Sequence, residues 1–173
     1  MTPHINFKKS RNIKDYKLIL EQLVDDLGPW LYQAILWWCK VINVEDDSEY
    51  WEVFLVYNNH DEVLGICGLY SLMPGTEELW LAWFGILPEY RNHGIGARVL
   101  ESLENFAISE GAKSLNTYVD KNGKPLNFYF RAGFKCKGTV GALLIDRPEL
   151  GRDQFEDLDD YYLTKDLTIT HAV

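Results

Sequence analysis

Cysteine is scarce in this 173-residue chain, which holds only Cys39, Cys67 and Cys136. Their number is odd and no two form a C-x-x-C pair. A disulfide framework is therefore excluded, and a reducing cytoplasm is the expected compartment. Histidine is sparse too: His4, His60 and His171 share no ligand spacing, so no metal site is expected. Long apolar runs are missing. The opening residues Met-Thr-Pro-His-Ile-Asn-Phe-Lys-Lys hold none, so neither a signal peptide nor a membrane span is expected. Positive charge is in deficit, with 17 Lys and Arg against 26 Asp and Glu and a net charge of -9. That balance disfavours nucleic acid, whose phosphates need a basic face. No segment is low in complexity and no long-period repeat is present.

What remains is the composition of a globular domain, 47% hydrophobic and 25% charged. The length suits one domain over residues 1–173. Aromatic residues are abundant at 14%, with six Trp and ten Tyr. Such rings fill cores and also line clefts for organic ligands. The acidic balance is compatible with a cationic small molecule, although solubility alone accounts for it.

Periodicity places the elements. Residues 4–9 read as a short strand, and Asn12 as the cap of a helix over 13–26 with Ile13, Tyr16, Leu20, Leu23 and Val24 on its apolar face. Gly28 and Pro29 break it. A second helix follows, with Trp30, Leu31, Ala34, Ile35, Trp37, Trp38, Val41 and Ile42 in a wide stripe. The stripe reads as core; an acceptor pocket or a homodimer face is the lesser alternative. An acidic loop, Glu45 to Glu49, precedes three strands at 50–58, 63–72 and 78–87, separated by turn residues. Next come a helix with Ile95, Val99, Leu100, Leu103, Phe106 and Ala107 buried, ended by Gly111, and a strand from Ser114 to Val119. A short helix from Pro125 to Arg131, a strand reaching Leu144, a charged loop over 146–158 and a last strand from Asp160 to Leu167 complete the chain. Cys67 falls in an apolar strand and should be core; Cys136 should be half buried. The class is α+β with a mixed sheet, parallel across the strand–helix–strand unit.

One turn carries chemistry. Arg91-Asn92-His93-Gly94-Ile95-Gly96-Ala97 joins a buried strand to a helix. A helix start exposes unpaired N–H groups and partial positive charge, and glycines let a phosphate approach them. Arg91, His93 and Arg98 add local positive charge. No Gly-Lys-Ser/Thr follows, so the turn is not a P-loop, and Val99 stands where a dinucleotide fingerprint needs its third glycine. A second signature lies downstream, Asn122-Gly-Lys-Pro-Leu-Asn-Phe-Tyr-Phe-Arg-Ala-Gly-Phe134.

Together the two segments resemble the GNAT superfamily of acyl-CoA N-acyltransferases. Ile86, Pro88, Arg91, Gly94 and Gly96 fill its pattern V-x-P-x-x-R-x-x-G-x-G, and Asn122, Phe128, Tyr129, Gly133 and Phe134 fill N-x-x-A-x-x-F-Y-x-x-x-G-F. The likeness is good over residues 78–136 and looser elsewhere. Pro125 departs from the usual Ala, in a first helical turn that tolerates it. The resemblance implies a mixed central sheet of about six to seven strands flanked by about four helices, with splayed strands at a CoA cleft.

It further implies acetyl-CoA as acyl donor, its diphosphate on the backbone amides of Arg91, Asn92, His93, Gly94, Ile95, Gly96 and Ala97. Phe84, Gly85 and Ile86 would pair with the pantetheine arm, Asn122 would contact it, and Tyr129 would sit beside the sulfur as general acid. A base must be found among carboxylates, and strand parity with Trp80, Ala82 and Phe84 favours Glu78 over Glu77 and Glu52. Acidic residues over 146–160 and 45–52 favour a small cationic amine as acceptor. A protein N-terminus or Lys as acceptor, and a non-catalytic acyl-CoA sensor, stay open. No nucleic acid, membrane or metal partner is expected.

Overall fold

Asn12 opens the first helical segment as its side chain accepts from the Lys14 N–H at 3.2 Å. The computed structural model describes residues 4–41, 51–73 and 75–168, apart from the side chain of Trp51. Ile42, the acidic loop from Glu45 to Glu49, Tyr50 and Pro74 lie outside the described residues.

In chain order the elements are β1 (Asn6–Lys8), a 3-10 turn (Ile13–Tyr16), α1 (Lys17–Leu27), α2 (Trp30–Trp38), β2 (Trp51–Tyr57), β3 (Val63–Tyr70), β4 (Glu78–Ile86), α3 (Ile95–Ser109), β5 (Ser114–Val119), α4 (Leu126–Arg131), β6 (Lys135–Thr139), α5 (Val140–Asp146) and β7 (Tyr161–Asp166). The strands form one open seven-stranded sheet in the order β1-β2-β3-β4-β5-β7-β6. β4 and β5 run parallel, and the β1–β2, β2–β3, β5–β7 and β6–β7 pairs are antiparallel. None of the described helices is long and apolar enough to cross a membrane.

The chain forms two compact units, Met1–Tyr70 with Leu81–Leu103, and Ser71–Trp80 with Glu104–Val173. It passes between them after β3, inside β4 and inside α3. The first unit is built on Tyr16, Ile19 and Leu23 of the first helical segment, Leu31, Ile35 and Trp38 of α2, and Val53, Leu55, Ile66 and Leu87. Each fully buried side chain of this size stabilises by roughly 1.5–3 kcal/mol. A polar knot anchors the cluster: Tyr16 Oη and Trp38 Nε1 both donate to the Ser10 carbonyl, at 2.9 and 2.6 Å. The α2 stripe is narrower than its sequence suggests. Leu31, Ile35 and Trp38 are buried, whereas Trp30 is 62% exposed and Val41 57% exposed, because one sheet face covers only one helical stripe.

In the second unit β7 lies between β5 and β6, and Leu115 and Leu163 are fully buried. α3 ends as expected: Gly111 sits at φ +89 and the Ala112 N–H reaches back to the Ala107 carbonyl.

Two expectations need correction. β6 stops at Thr139, and residues 140–146 are helical instead of extending a strand to Leu144. The cause is local: Gly138 sits at φ +131 beside a register shift, and Thr139 then caps α5 by accepting from the Ala142 N–H at 3.2 Å. The described residues thus hold five α-helices, with Val140 and Leu143 of α5 buried. The segment 146–158 is anchored by Leu150 and Phe155, each 3% exposed. Cys67 is buried, but Cys136 is exposed, since it lies on the edge strand β6.

Candidate active site

In the first unit the glycine turn follows the end of β4. Arg91, Asn92, His93 and Gly94 are exposed and Ile95 is the buried anchor that holds the start of α3 down. Asn92 and Gly94 both take left-handed backbone, φ +63 and +75, which Asn tolerates and Gly adopts freely. The first helical bond is from the Arg98 N–H to the Gly94 carbonyl. The N–H groups of Ile95, Gly96 and Ala97 precede it and have no intrahelical acceptor. The helix behind this start is 15 residues long, and its macrodipole adds partial positive charge at these amides.

Arg91 occupies a different place from the one the sequence implies. Its N–H is bonded to the Pro88 carbonyl at 3.2 Å. Its Nε donates to the Ile86 carbonyl at 2.8 Å, and its Nη2 meets Asp26 at 2.5 Å. The side chain therefore braces the turn against β4 and α1, and the Ile86 carbonyl already has a protein donor. Gly85 leaves room for α1: a Cβ there would stand 2.9 Å from Leu27 Cδ1. Two residues earlier, Trp83 sits at φ +50 inside the strand, and its buried Nε1 has no protein acceptor. A bulky residue in that region is strained by about 1–3 kcal/mol. The kink also interrupts the period-two alternation on which a shared face for Glu78, Trp80, Ala82 and Phe84 depends.

In the second unit the parallel ladder of β4 and β5 covers Glu78↔Ser114, Leu79↔Leu115 and Trp80↔Asn116. After β5, the Asp120 side chain accepts from the Asn122 N–H at 2.8 Å, which presents Asn122 at the surface. Pro125 is the helical N-cap of α4 at φ -67, as a first-turn proline can be. Tyr129 is only 6% exposed. It makes edge contacts with Phe128 and Phe134, centroids 5.2 and 5.4 Å away. The Gly-Phe end of the signature has a structural cause: Gly133 at φ +93 turns the chain, and the Phe134 N–H closes back on the Tyr129 carbonyl at 3.0 Å. Burial pushes the Tyr129 phenol up to about 12, partly offset by a hydrogen bond with Thr117. The phenol is thus a protonated donor at any physiological pH.

All three candidate bases are ion-paired. Glu78 Oε2 meets Arg147 Nη1 at 2.7 Å, Glu77 meets Lys113 at 2.7 Å, and Glu52 meets Lys9 at 2.7 Å in the first unit. Around Glu78 the second unit collects rings: Trp80 stacks on Tyr162 at 5.5 Å and meets Phe155 edge-on at 5.7 Å. Tyr118 meets Phe155 at 5.3 Å. Glu78, Trp80, Ser114 and Asn116 share one face by register, whereas Thr117, with Tyr129, is on the other. Asp160 stands near Asp157, Asp120, Glu156 and Asp159; burial first, then these charges, push its carboxyl up to about 6.

Sequence reasoning did not assign a site role to Asp26, Arg147, Asn116 or Tyr162. Asp26 and Arg147 lie 65 and 69 residues from their partners, and no local pattern marks such a pairing.

The family profile described as acetyltransferase (GNAT) family matches residues 16–134, which span the glycine turn and end on Phe134. No curated protein matches the chain in sequence. Among solved structures, a GNAT-family acetyltransferase from Staphylococcus aureus Mu50 is similar at 18% identity and TM-score 0.63, over 95% of this chain and 99% of that one. A spermidine N-acetyltransferase chimera from Vibrio cholerae and a human counterpart gives 13% identity and TM-score 0.69, over 95% and 96%. An aminoglycoside 6'-N-acetyltransferase complexed with coenzyme A gives 15% identity and TM-score 0.64, over 95% and 97%. The chain belongs to the acetyltransferase (GNAT) family, whose chemistry is acyl transfer from coenzyme A.

Proposed function

We propose that this protein transfers the acetyl group of acetyl-CoA to the primary amine of a small cationic molecule, by direct attack through a tetrahedral intermediate. The observation that carries the reading is the helix start at Ile95–Ala97, whose N–H groups have no intrahelical acceptor and follow a left-handed Gly94. The diphosphate of acetyl-CoA is held by the amides of Asn92 to Ala97, and Arg91 braces them. Phe84, Gly85 and Asn122 contact the pantetheine arm.

The amine nitrogen attacks the thioester carbon, forming C–N while the carbonyl π pair moves to oxygen. An N–H donor near Phe84 stabilises that oxyanion. When it collapses, C–S breaks and Tyr129 protonates the thiolate, a favourable match for a phenol that stays protonated. The ammonium proton leaves through Glu78, by its oxygen not held by Arg147 or by a water there. Glu78 and Tyr129 belong to opposite faces of the second unit's sheet, so the proton reaches Glu78 through water.

A cationic acceptor is supported by the carboxylates around Asp160 and by the names of two similar structures, which specify spermidine and aminoglycosides. Free thiols at Cys39, Cys67 and Cys136 fit a reducing cytoplasm. Thiol release from acetyl-CoA over a panel of amines, followed by mass spectrometry of the product, tests the reading. A mass gain of one acetyl group on an amine is expected; thiol release with no amine would overturn it.

A further inference from the structure

Asn116 is fully buried, at 0% exposure, on the last rung of the β4–β5 ladder. Its Oδ1 accepts from Tyr162 Oη at 3.2 Å, and its Nδ2 has no hydrogen-bond partner. Leaving a buried amide N–H unpaired opposes folding, since the donor has given up water for no partner. A leucine there would avoid the penalty, and an unsatisfied group of this kind calls for an explanation such as a ligand.

The surroundings indicate which ligand. Asn116 shares its face of the sheet with Glu78 and Trp80, and Tyr162 feels the Glu78 charge. Tyr129 belongs to the opposite face. If Glu78 serves the amine and Tyr129 the sulfur, Asn116 is on the amine side. An N–H donor recognises an oxygen, so a purely aliphatic polyamine has nothing to offer it.

We infer that Asn116 is a specificity-determining residue whose carboxamide N–H donates to an oxygen of the acceptor, which therefore bears a hydroxyl, carbonyl or carboxylate close to its reactive amine. The inference rests on the acetyl-transfer reading above. Because the amide is fully covered, the oxygen reaches it only when a neighbouring ring, Trp80 or Tyr162, shifts. The hydrogen bond then replaces an unpaired donor, so discrimination against an acceptor lacking the oxygen is strong.

The test uses acetyl-CoA with matched amines: glucosamine and amino-acid amides on one side, alkyl monoamines and diamines on the other. The wild-type chain should favour the oxygen-bearing set by at least about tenfold in kcat/KM, equivalent to about 1.4 kcal/mol. Asn116→Leu should erase that preference by raising KM for the oxygen-bearing set, with the Kd for CoA unchanged. Tyr162→Phe, which leaves the amide in place but unanchored, should reduce the preference in part and covers the case in which Asn116→Leu does not fold. A wild-type preference for the alkyl amines, or turnover with selectivity unchanged in every folded variant, would overturn this inference alone. Absence of acetyl transfer to every amine, with CoA still bound, would overturn the catalytic reading and this inference with it.

Discussion

Arg91 is tied to Ile86 across the glycine turn, its Nε donating to the Ile86 carbonyl at 2.8 Å while Nη2 holds Asp26 at 2.5 Å. The guanidinium has more than one donor to offer and uses its fork to join the end of β4, the turn and α1. The Asp26 side is exposed and worth little by itself. Arg91→Met should therefore weaken CoA binding by about tenfold, a loss of about 1.4 kcal/mol, while Asp26→Asn should change it by less than about threefold. Calorimetric titration with CoA reads both; equal affinities in Arg91→Met and wild type would mean that the brace does not shape the cradle.

Gly96→Asp separates binding from folding. A carboxylate in the first turn of α3 favours the helix through its dipole, so circular dichroism and the thermal midpoint should hold. The same charge opposes a diphosphate at the same amides. CoA affinity should fall by at least about a hundredfold. Unchanged affinity would place the diphosphate elsewhere.

Tyr129→Phe removes one hydroxyl and retains the ring contacts with Phe128 and Phe134. Turnover should drop about 10²–10⁴-fold, with the KM for acetyl-CoA within a factor of about three. With its phenol raised to about 12, Tyr129 should add no descending limb to the wild-type pH–rate profile below about pH 11. Full turnover in the variant would remove Tyr129 from acid catalysis.

Asp160 makes the folded chain sensitive to pH. Its carboxyl is raised to about 6 in the folded state from an ordinary value of 3.8. Between those values the native state retains a proton that the unfolded chain has lost, so this group's contribution to stability falls as pH rises from about 4 to about 6. Asp160→Asn should thus raise the thermal midpoint at pH 8 and leave it unchanged at pH 3. Scanning calorimetry at both values checks the sign, and a variant less stable at pH 8 would contradict it.

The site's backbone was legible in the sequence because its causes are local. Gly94, Gly111 and Gly133 stand where left-handed backbone is required, and Asn12 stands where a helix needs an acceptor. The apolar period of α3 marks its buried side. The strand assigned through Leu144 was misread for the opposite reason: Val140 to Ile145 is a short apolar run that periodicity does not assign to strand or helix, and a bulge at Gly138 with a cap at Thr139 turned it into a helix.

The amino-acid sequence by itself determined the family, the glycine turn and the aromatic signature around Tyr129, since each depends on conformations and spacings a few residues long. Only the tertiary structure decided that Arg91 is a brace, that Glu78 is held by Arg147, and that Asn116 has an N–H to spare. Those facts depend on which side chains meet across long stretches of chain, and charge pairing or burial acts through space without regard to sequence separation.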